Sequence, residues 1–174
     1  MKLNLGCGDK RGPEGFTNVD KVKTEACDVV VDLFEFPWPF EDNSVDEVHA
    51  IHFFEHVPAK LRPRFMDELY RVMTVGGVAS FITPAYNSER AYQDYTHEWP
   101  PIVPNSYQYF NKRWRELEHM GHGDYDMKCN FECQLGANVH PEWQARTLEA
   151  QQFACEHYWN VSTDVLANLT KLEN

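Results

Sequence analysis

Short apolar segments punctuate the first half of the chain, each closed by glycine, proline or a polar residue. Leu3-Asn4-Leu5 runs into Gly6-Cys7-Gly8, and Phe16-Thr17-Asn18-Val19 ends at Asp20. Cys27-Asp28-Val29-Val30-Val31 ends at Asp32, Val45 to Ile51 ends at His52, and Val78-Ala79-Ser80-Phe81-Ile82 is stopped by Pro84. Runs of this length and β-branched content predict five strands. The third lacks polar alternation, as expected of a buried parallel strand. Leu61, Phe65, Leu69 and Val72 form a helical stripe starting at about Pro58 or Ala59, with Pro63 as an alternative first-turn marker and Gly76-Gly77 as its end.

The second half has a different rhythm. Met127, Cys129, Phe131, Cys133 and Leu135 alternate with Lys128, Asn130, Glu132 and Gln134, and Trp159 to Leu169 alternates in the same way. Period-2 patterning marks strands with one wetter face, so these two differ from the first five and read as an antiparallel addition to a parallel sheet. Glu142 to His157 predicts a helix between them. The connection from Pro84 to Asp124 is too long for a simple loop, and such segments usually carry function. It contains Tyr86, Tyr92, Tyr95, Trp99, Tyr107, Tyr109, Phe110 and Trp114, and Pro100-Pro101 and Pro104 would stiffen it into an extended lid. The same aromatics would equally pack an irregular cap onto a small core of its own.

Composition narrows the class. A length of 174 residues suits one domain, 1–174, able to bury roughly 70% of its unfolded surface. No apolar run approaches a membrane span and no basic region precedes an apolar stretch, so a soluble, cytoplasmic protein is expected. Cys7, Cys27, Cys129, Cys133 and Cys155 are odd in number and contain no Cys-x-x-Cys, which points to reduced thiols and disfavours a zinc knuckle. A net charge of -11 disfavours a partner held through phosphates. The one basic cluster, Lys112-Arg113-Trp114-Arg115, reads as a solvated helix face.

A strand entering Gly6-Cys7-Gly8, followed by a carboxylate at the tip of the next strand, suits a nucleoside-bearing cofactor. Glycine lets backbone approach the ligand, and Asp20 can accept from both ribose hydroxyls. The dinucleotide version needs a third glycine opening a helix and an acid about 20 residues on. Here Asp20 follows Gly8 closely and Gly12-Pro13-Glu14-Gly15 interrupts any helix, so NAD is disfavoured.

The full order of parts adds to this: a Gly-x-Gly strand, Asp20, Asp32-Leu33, a fourth strand ending in Glu55-His56-Val57, Leu69-Tyr70-Arg71-Val72-Met73-Thr74-Val75-Gly76-Gly77, and a final hairpin. It resembles the class I S-adenosylmethionine-dependent methyltransferases over nearly the whole chain, and looks closest to short bacterial and phage members of the polysaccharide or small-molecule type. The resemblance implies an α/β, Rossmann-like, mostly parallel seven-stranded sheet with a terminal antiparallel hairpin. It implies S-adenosylmethionine as cofactor, with Gly6 and Gly8 under its methionine part, Asp20 on its ribose, Asp32 and Leu33 at its adenine and His52 beside it. Two departures stand out: there is no room for a helix ahead of the first strand, and the first crossover is too short for one. With the N-terminal helices reduced, the cofactor site is expected to be open, or completed by a second subunit covering the bare sheet face.

Methyl transfer is an in-line displacement at a sulfonium. Alignment can supply about 7–11 kcal/mol, and a positioned base a further 10²–10⁴-fold or so. In His52-Phe53-Phe54-Glu55-His56, His56 is the expected base, its imidazole titrating near neutrality, with His97 assisting. Tyr95 and Trp99, near the substrate-facing motif of the resembled family, are expected to meet the acceptor, a small-molecule or sugar-like hydroxyl. A metal-assisted alternative, as in some relatives that methylate ribose 2′-hydroxyls of small RNAs, would use His52, Glu55, His56 and His97 on a divalent ion; that set lacks the first glutamate of the pattern and would suit zinc or a transition metal better than magnesium. Where no metal is bound, Glu55 would cap a helix. His119, His122, His140 and His157 read as surface residues. A base methyltransferase is disfavoured by the missing Pro-Pro-aromatic motif after the fourth strand. A cofactor-binding module that transfers nothing and is completed by a partner is the rival outside catalysis.

Overall fold

The computed structural model describes residues 1–118 and 126–174. One sheet of seven strands organises it: β1 Lys2–Leu5, β2 Thr17–Asp20, β3 Val29–Val30, β4 Val45–Ile51, β5 Met73–Pro84, β6 Phe131–Val139 and β7 Ser162–Lys171. Their order is β3-β2-β1-β4-β5-β7-β6, with β1 to β5 paired in parallel and β7 antiparallel between β5 and β6. This is the expected Rossmann-like α/β sheet. The helices are α1 Arg62–Val72, α2 Lys112–Leu117, α3 Pro141–Gln144 and α4 Leu148–His157. Among the described residues, no helix is long and apolar enough to cross a membrane.

Several local expectations change. Pro63 lies in the first turn of α1, behind two 3-10 turns at Phe54–His56 and Ala59–Leu61. The helix ends at Val72, so Gly76-Gly77 does not terminate it. Those glycines lie inside β5, where its register with β4 shifts between Val45 and Glu47. Gly76 takes φ +81, and a Cβ on Gly77 would sit 3.0 Å from the Asp46 carbonyl oxygen. The predicted helix over Glu142 to His157 is split, because the Thr147 hydroxyl accepts from the Ala150 N–H and starts α4 afresh. The β-branched run at 27–31 yields only a two-residue edge strand with Val30 exposed, because nothing pairs beyond it.

The two faces of the sheet are built from different chemistry. One row runs Thr17, Leu3, Val48, Ala79, Leu169, Cys133 across six strands, and Ala50, Phe81, Ala167, Leu135 forms the next. Against this face pack Phe65, Leu69 and Val72 of α1 and the rings of Phe54, Tyr107 and Phe110. Phe54 is fully buried, with ring centroids of Phe65, Phe81, Tyr107 and Phe110 at 5.6, 5.3, 5.9 and 6.2 Å. On the opposite face the corresponding row is Asn18, Asn4, His49, Ser80, Asn168, Gln134. The parallel strands therefore alternate much as β6 and β7 do, contrary to the expected contrast between the first five strands and the last two.

Along this polar row, Ser80 donates to Asn168 Oδ1 at 2.8 Å in water, and Glu132 and Gln134 are exposed. Asn4 and Asn18 are covered, not by a helix but by the loop joining β1 to β2. Asn18 Oδ1 accepts from Asn4 Nδ2 at 3.0 Å and from the Gly12 N–H at 2.7 Å. Its amide and backbone nitrogens donate to Asp28 Oδ2 at 2.8 and 2.9 Å, and Arg11 meets Asp28 Oδ1 at 2.6 Å. Donors from Asn18, then Arg11, lower the Asp28 pKa to about 2. A polar network thus fixes a crossover too short for a helix.

Candidate active site

At the carboxyl ends of β1, β2 and β4 lies a cleft of about 470 Å³, lined by Gly6, Asp20, Lys21, Val31, Asp32, Leu33, Phe34, His52, Phe53, His56 and Thr96. Strand tips in open α/β sheets are where ligands bind, and the volume suits a small molecule. Gly6, Asp20, Asp32, Leu33 and His52, expected at the cofactor, all come together here. Gly8 stands behind the wall, donating its N–H to Asp20 Oδ2 at 2.9 Å, while Asp20 Oδ1 accepts from the Val22 N–H at 3.0 Å. Asp20 therefore holds both turns that flank it. Asp32 accepts from the Phe34 N–H at 2.9 Å, a turn role it fills while lining the cleft.

Gly6 is dictated by packing as well as by φ +66. A Cβ there would fall 2.1 Å from Cδ2 of Phe53. Phe53 thus closes the cleft floor against the glycine turn, with its ring 6.1 Å from Phe34 and 6.0 Å from Phe65. Its place directly after His52 was the available signal, yet sequence reasoning overlooked it, together with Lys21 and Thr96.

β4 is followed by His52 at φ +52, where the chain turns toward the Phe54–His56 3-10 turn. At His56, Nδ1 lies 3.2 Å from the Thr96 carbonyl oxygen and 3.1 Å from its hydroxyl. That hydroxyl donates to Asp94 Oδ1 at 2.7 Å, so it offers His56 a lone pair. Both neighbours accept, which puts the proton on Nδ1 and leaves Nε2 basic. Donors from Thr96, first its hydroxyl and then its N–H, lower the Asp94 pKa. Asp94-Thr96-His56 is a positioning chain that no sequence motif announced.

His97 packs edge-on to His56 with centroids 4.9 Å apart, and its Nδ1 donates to the Ala91 carbonyl at 3.1 Å. Glu55 does not cap a helix. It is buried, with neither carboxylate oxygen hydrogen-bonded among the described residues, and one ligand atom each from Glu55, His56 and His97 lies within 4.8 Å of the others. His52 is outside that trio, its Nδ1 3.5 Å from Glu55 Oε1 and its Nε2 3.8 Å from Asp164 Oδ1, a buried β7 residue also paired with Arg90 at 3.4 Å.

Tyr95 and Trp99 point outward, 97% and 74% exposed, and neither lines the cleft. The described part of 84–124 is anchored rather than free: Ile102, Tyr107 and Phe110 join the core, and the buried Arg62 donates to the carbonyls of Val57, Glu98 and Pro100. Burial lowers the Arg62 pKa. Arg115 of the basic cluster serves the carbonyls of Tyr109 and Cys129. All five cysteines are free thiols. His140 and His157 are exposed, whereas His119 and His122 lie outside the described residues.

Residues 3–81 match the family model described as a methyltransferase domain. The fold is similar to a SAM-dependent methyltransferase from Archaeoglobus fulgidus, at 17% identity and a TM-score of 0.67 over 98% of this chain and 85% of that one. It also resembles a structure of the Haloferax volcanii Trm112 methyltransferase activator in complex with a methyltransferase (15%, TM-score 0.55, 99% and 82%). A third likeness is the methyltransferase domain of bacterial CtHen1 (13%, TM-score 0.53, 97% and 89%). No curated protein sequence matches the chain. Residues 3–81 thus resemble a methyltransferase domain, and the chain shares its fold with S-adenosylmethionine-dependent methyltransferases.

Proposed function

We propose that the chain methylates a hydroxyl of a small-molecule or sugar-like acceptor, with His56 as general base. The observation that carries this reading is the Asp94-Thr96-His56 chain, which leaves Nε2 of His56 unprotonated at the wall of the cleft. The residues present fit the cofactor: two glycines with positive φ near Asp20, a second carboxylate at Asp32, and apolar Leu33 and Phe53 in the lining. Bound S-adenosylmethionine supplies an electrophilic methyl group on its sulfonium. Asp20 would accept from the ribose hydroxyls and Asp32 from the adenine amine, fixing where that methyl lies. His56 would take the acceptor's hydroxyl proton as the C–O bond forms and the methyl's bond to the sulfonium breaks, with S-adenosylhomocysteine as the leaving group, and Thr96 and Asp94 would stabilise the resulting imidazolium.

Calorimetric titration of S-adenosylmethionine and S-adenosylhomocysteine into metal-stripped protein tests the cofactor part. Micromolar binding lost in Asp20→Ala is expected; no binding would leave a partner-completed module in place of a working enzyme. His56→Ala should cost about 10²–10⁴-fold in turnover, with cofactor affinity kept.

Buried Glu55, with its unpartnered oxygens facing His56 and His97, favours a second reading: these three hold a divalent ion, of zinc or transition-metal type given two imidazoles. Such an ion would lower the pKa of an acceptor hydroxyl, as a ribose 2′-hydroxyl of RNA would require. The net charge of -11 weighs against an RNA acceptor. Calorimetry with zinc, manganese and magnesium decides it: saturable binding lost in Glu55→Gln would replace the base mechanism.

A further inference from the structure

A second concavity, of about 340 Å³, lies outside the cleft and is lined by Glu89, Tyr92, Gln93 and Trp159. Tyr92 and Trp159 form a tiled shelf, their ring centroids 5.7 Å apart and their planes inclined by 27°. Both rings remain about half exposed. The shelf is built, not incidental. The Tyr92 hydroxyl donates to the Tyr86 carbonyl at 2.7 Å. Asn160, at φ +61, stitches the two contributing segments: its N–H donates to the Asn87 carbonyl and its Oδ1 accepts from the Glu89 N–H, each at 2.8 Å.

The shelf and the cleft have no lining residue in common, but the 3-10 turn Glu89–Ala91 links them through side-chain and backbone contacts. Arg90 reaches Asp164 Oδ1 at 3.4 Å, which lies 3.8 Å from Nε2 of His52, and the Ala91 carbonyl accepts from His97 beside His56.

We propose that the shelf is an acceptor subsite for a neutral sugar ring adjoining the one that is methylated. An aromatic shelf covers the C–H face of a pyranose, while the carboxylate of Glu89 and the amide of Gln93, neither hydrogen-bonded among the described residues, meet the hydroxyls at the ring edge. A stacked nucleotide would bring phosphates to a lining that holds a carboxylate and no cation, on a chain of net charge -11. The nearest guanidinium, Arg90, is turned toward Asp164. The acceptor class is thereby an oligosaccharide or glycoconjugate, an assignment that rests on the methyltransferase reading with a sugar-like acceptor.

Saturation-transfer NMR on the full chain tests it, using cellotetraose, maltotetraose and chitotetraose, with adenosine and guanosine as stacking controls. At least one tetrasaccharide should bind, and Trp159→Ala and Tyr92→Ala should weaken it roughly tenfold. Asp20→Ala should leave sugar binding intact while abolishing binding of S-adenosylhomocysteine, and circular dichroism should show every variant folded. Homocysteine-cofactor binding with no sugar bound overturns the subsite and leaves the methyltransferase reading standing; sugar binding without any cofactor binding does the reverse. Nucleosides binding at Trp159 in place of sugars, or sugar binding indifferent to Trp159→Ala, also overturns the proposal.

Discussion

The two faces of the sheet solve one problem by opposite means. On the α1 side, Leu3, Val48, Ala79 and Leu169 are sealed by rings from α1 and from the long insertion, and stability there comes from exclusion of water. On the other side, Asn18 and Asn4 bond to each other and to the loop joining β1 to β2, Ser80 bonds to Asn168, and His49 lies against the Phe16 ring. Parallel sheets are ordinarily covered on both faces. Over the row from Asn18 to Gln134, alternate residues of these strands are polar where the opposite row is apolar.

Substitutions on the two faces should separate clearly in size. Phe54→Ala removes a ring in contact with four others and should cost about 3–5 kcal/mol in urea unfolding. It should also lower turnover, because Glu55 and His56 follow directly in the same turn. Asn18→Ala leaves the Gly12 N–H and the Asn4 amide unpaired and should cost about 1–3 kcal/mol, with weaker cofactor binding as the Gly8 loop loosens. Comparable losses on both faces would break the distinction between sealing and bonding.

Asp28 gives a smaller effect with a definite sign. Its folded pKa of about 2 lies below the ordinary 3.8, so its stabilising contribution is complete above 3.8 and fades as pH falls toward 2. Asp28→Asn should flatten that span of a stability–pH curve measured by urea unfolding. Smallest of all, Ser80→Ala should shift stability by less than about 0.5 kcal/mol, since its bond to Asn168 is made in water.

Most strand positions and several cleft-lining residues could be read along the chain because each lies within a few residues of a glycine turn or a strand tip, as Gly6, Asp20 and Asp32 do. The polar row was also in view, at Asn4, His49 and Ser80, but it becomes a face only once the register of β1, β4 and β5 is known. Thr96 and Asp94 were hidden for another reason: the insertion folds back to place them against His56, forty residues earlier for Thr96. Tyr95 and Trp99 show the converse, since nearness in sequence to His97 did not bring them to the cleft. Gly76-Gly77 looked like a helix stop and instead accommodates a register shift.

The row from His49 to Gln134 also has a calorimetric consequence. Surface that is wet before unfolding contributes little to the change in hydration when the chain opens, and polar groups newly exposed, such as those of Asn4 and Asn18, lower the heat-capacity increment where apolar groups raise it. The protein should therefore unfold with a smaller heat-capacity change than a relative of equal length whose sheet is covered on both sides. Its stability should then vary more gently with temperature, trading a sharp optimum for a broad one.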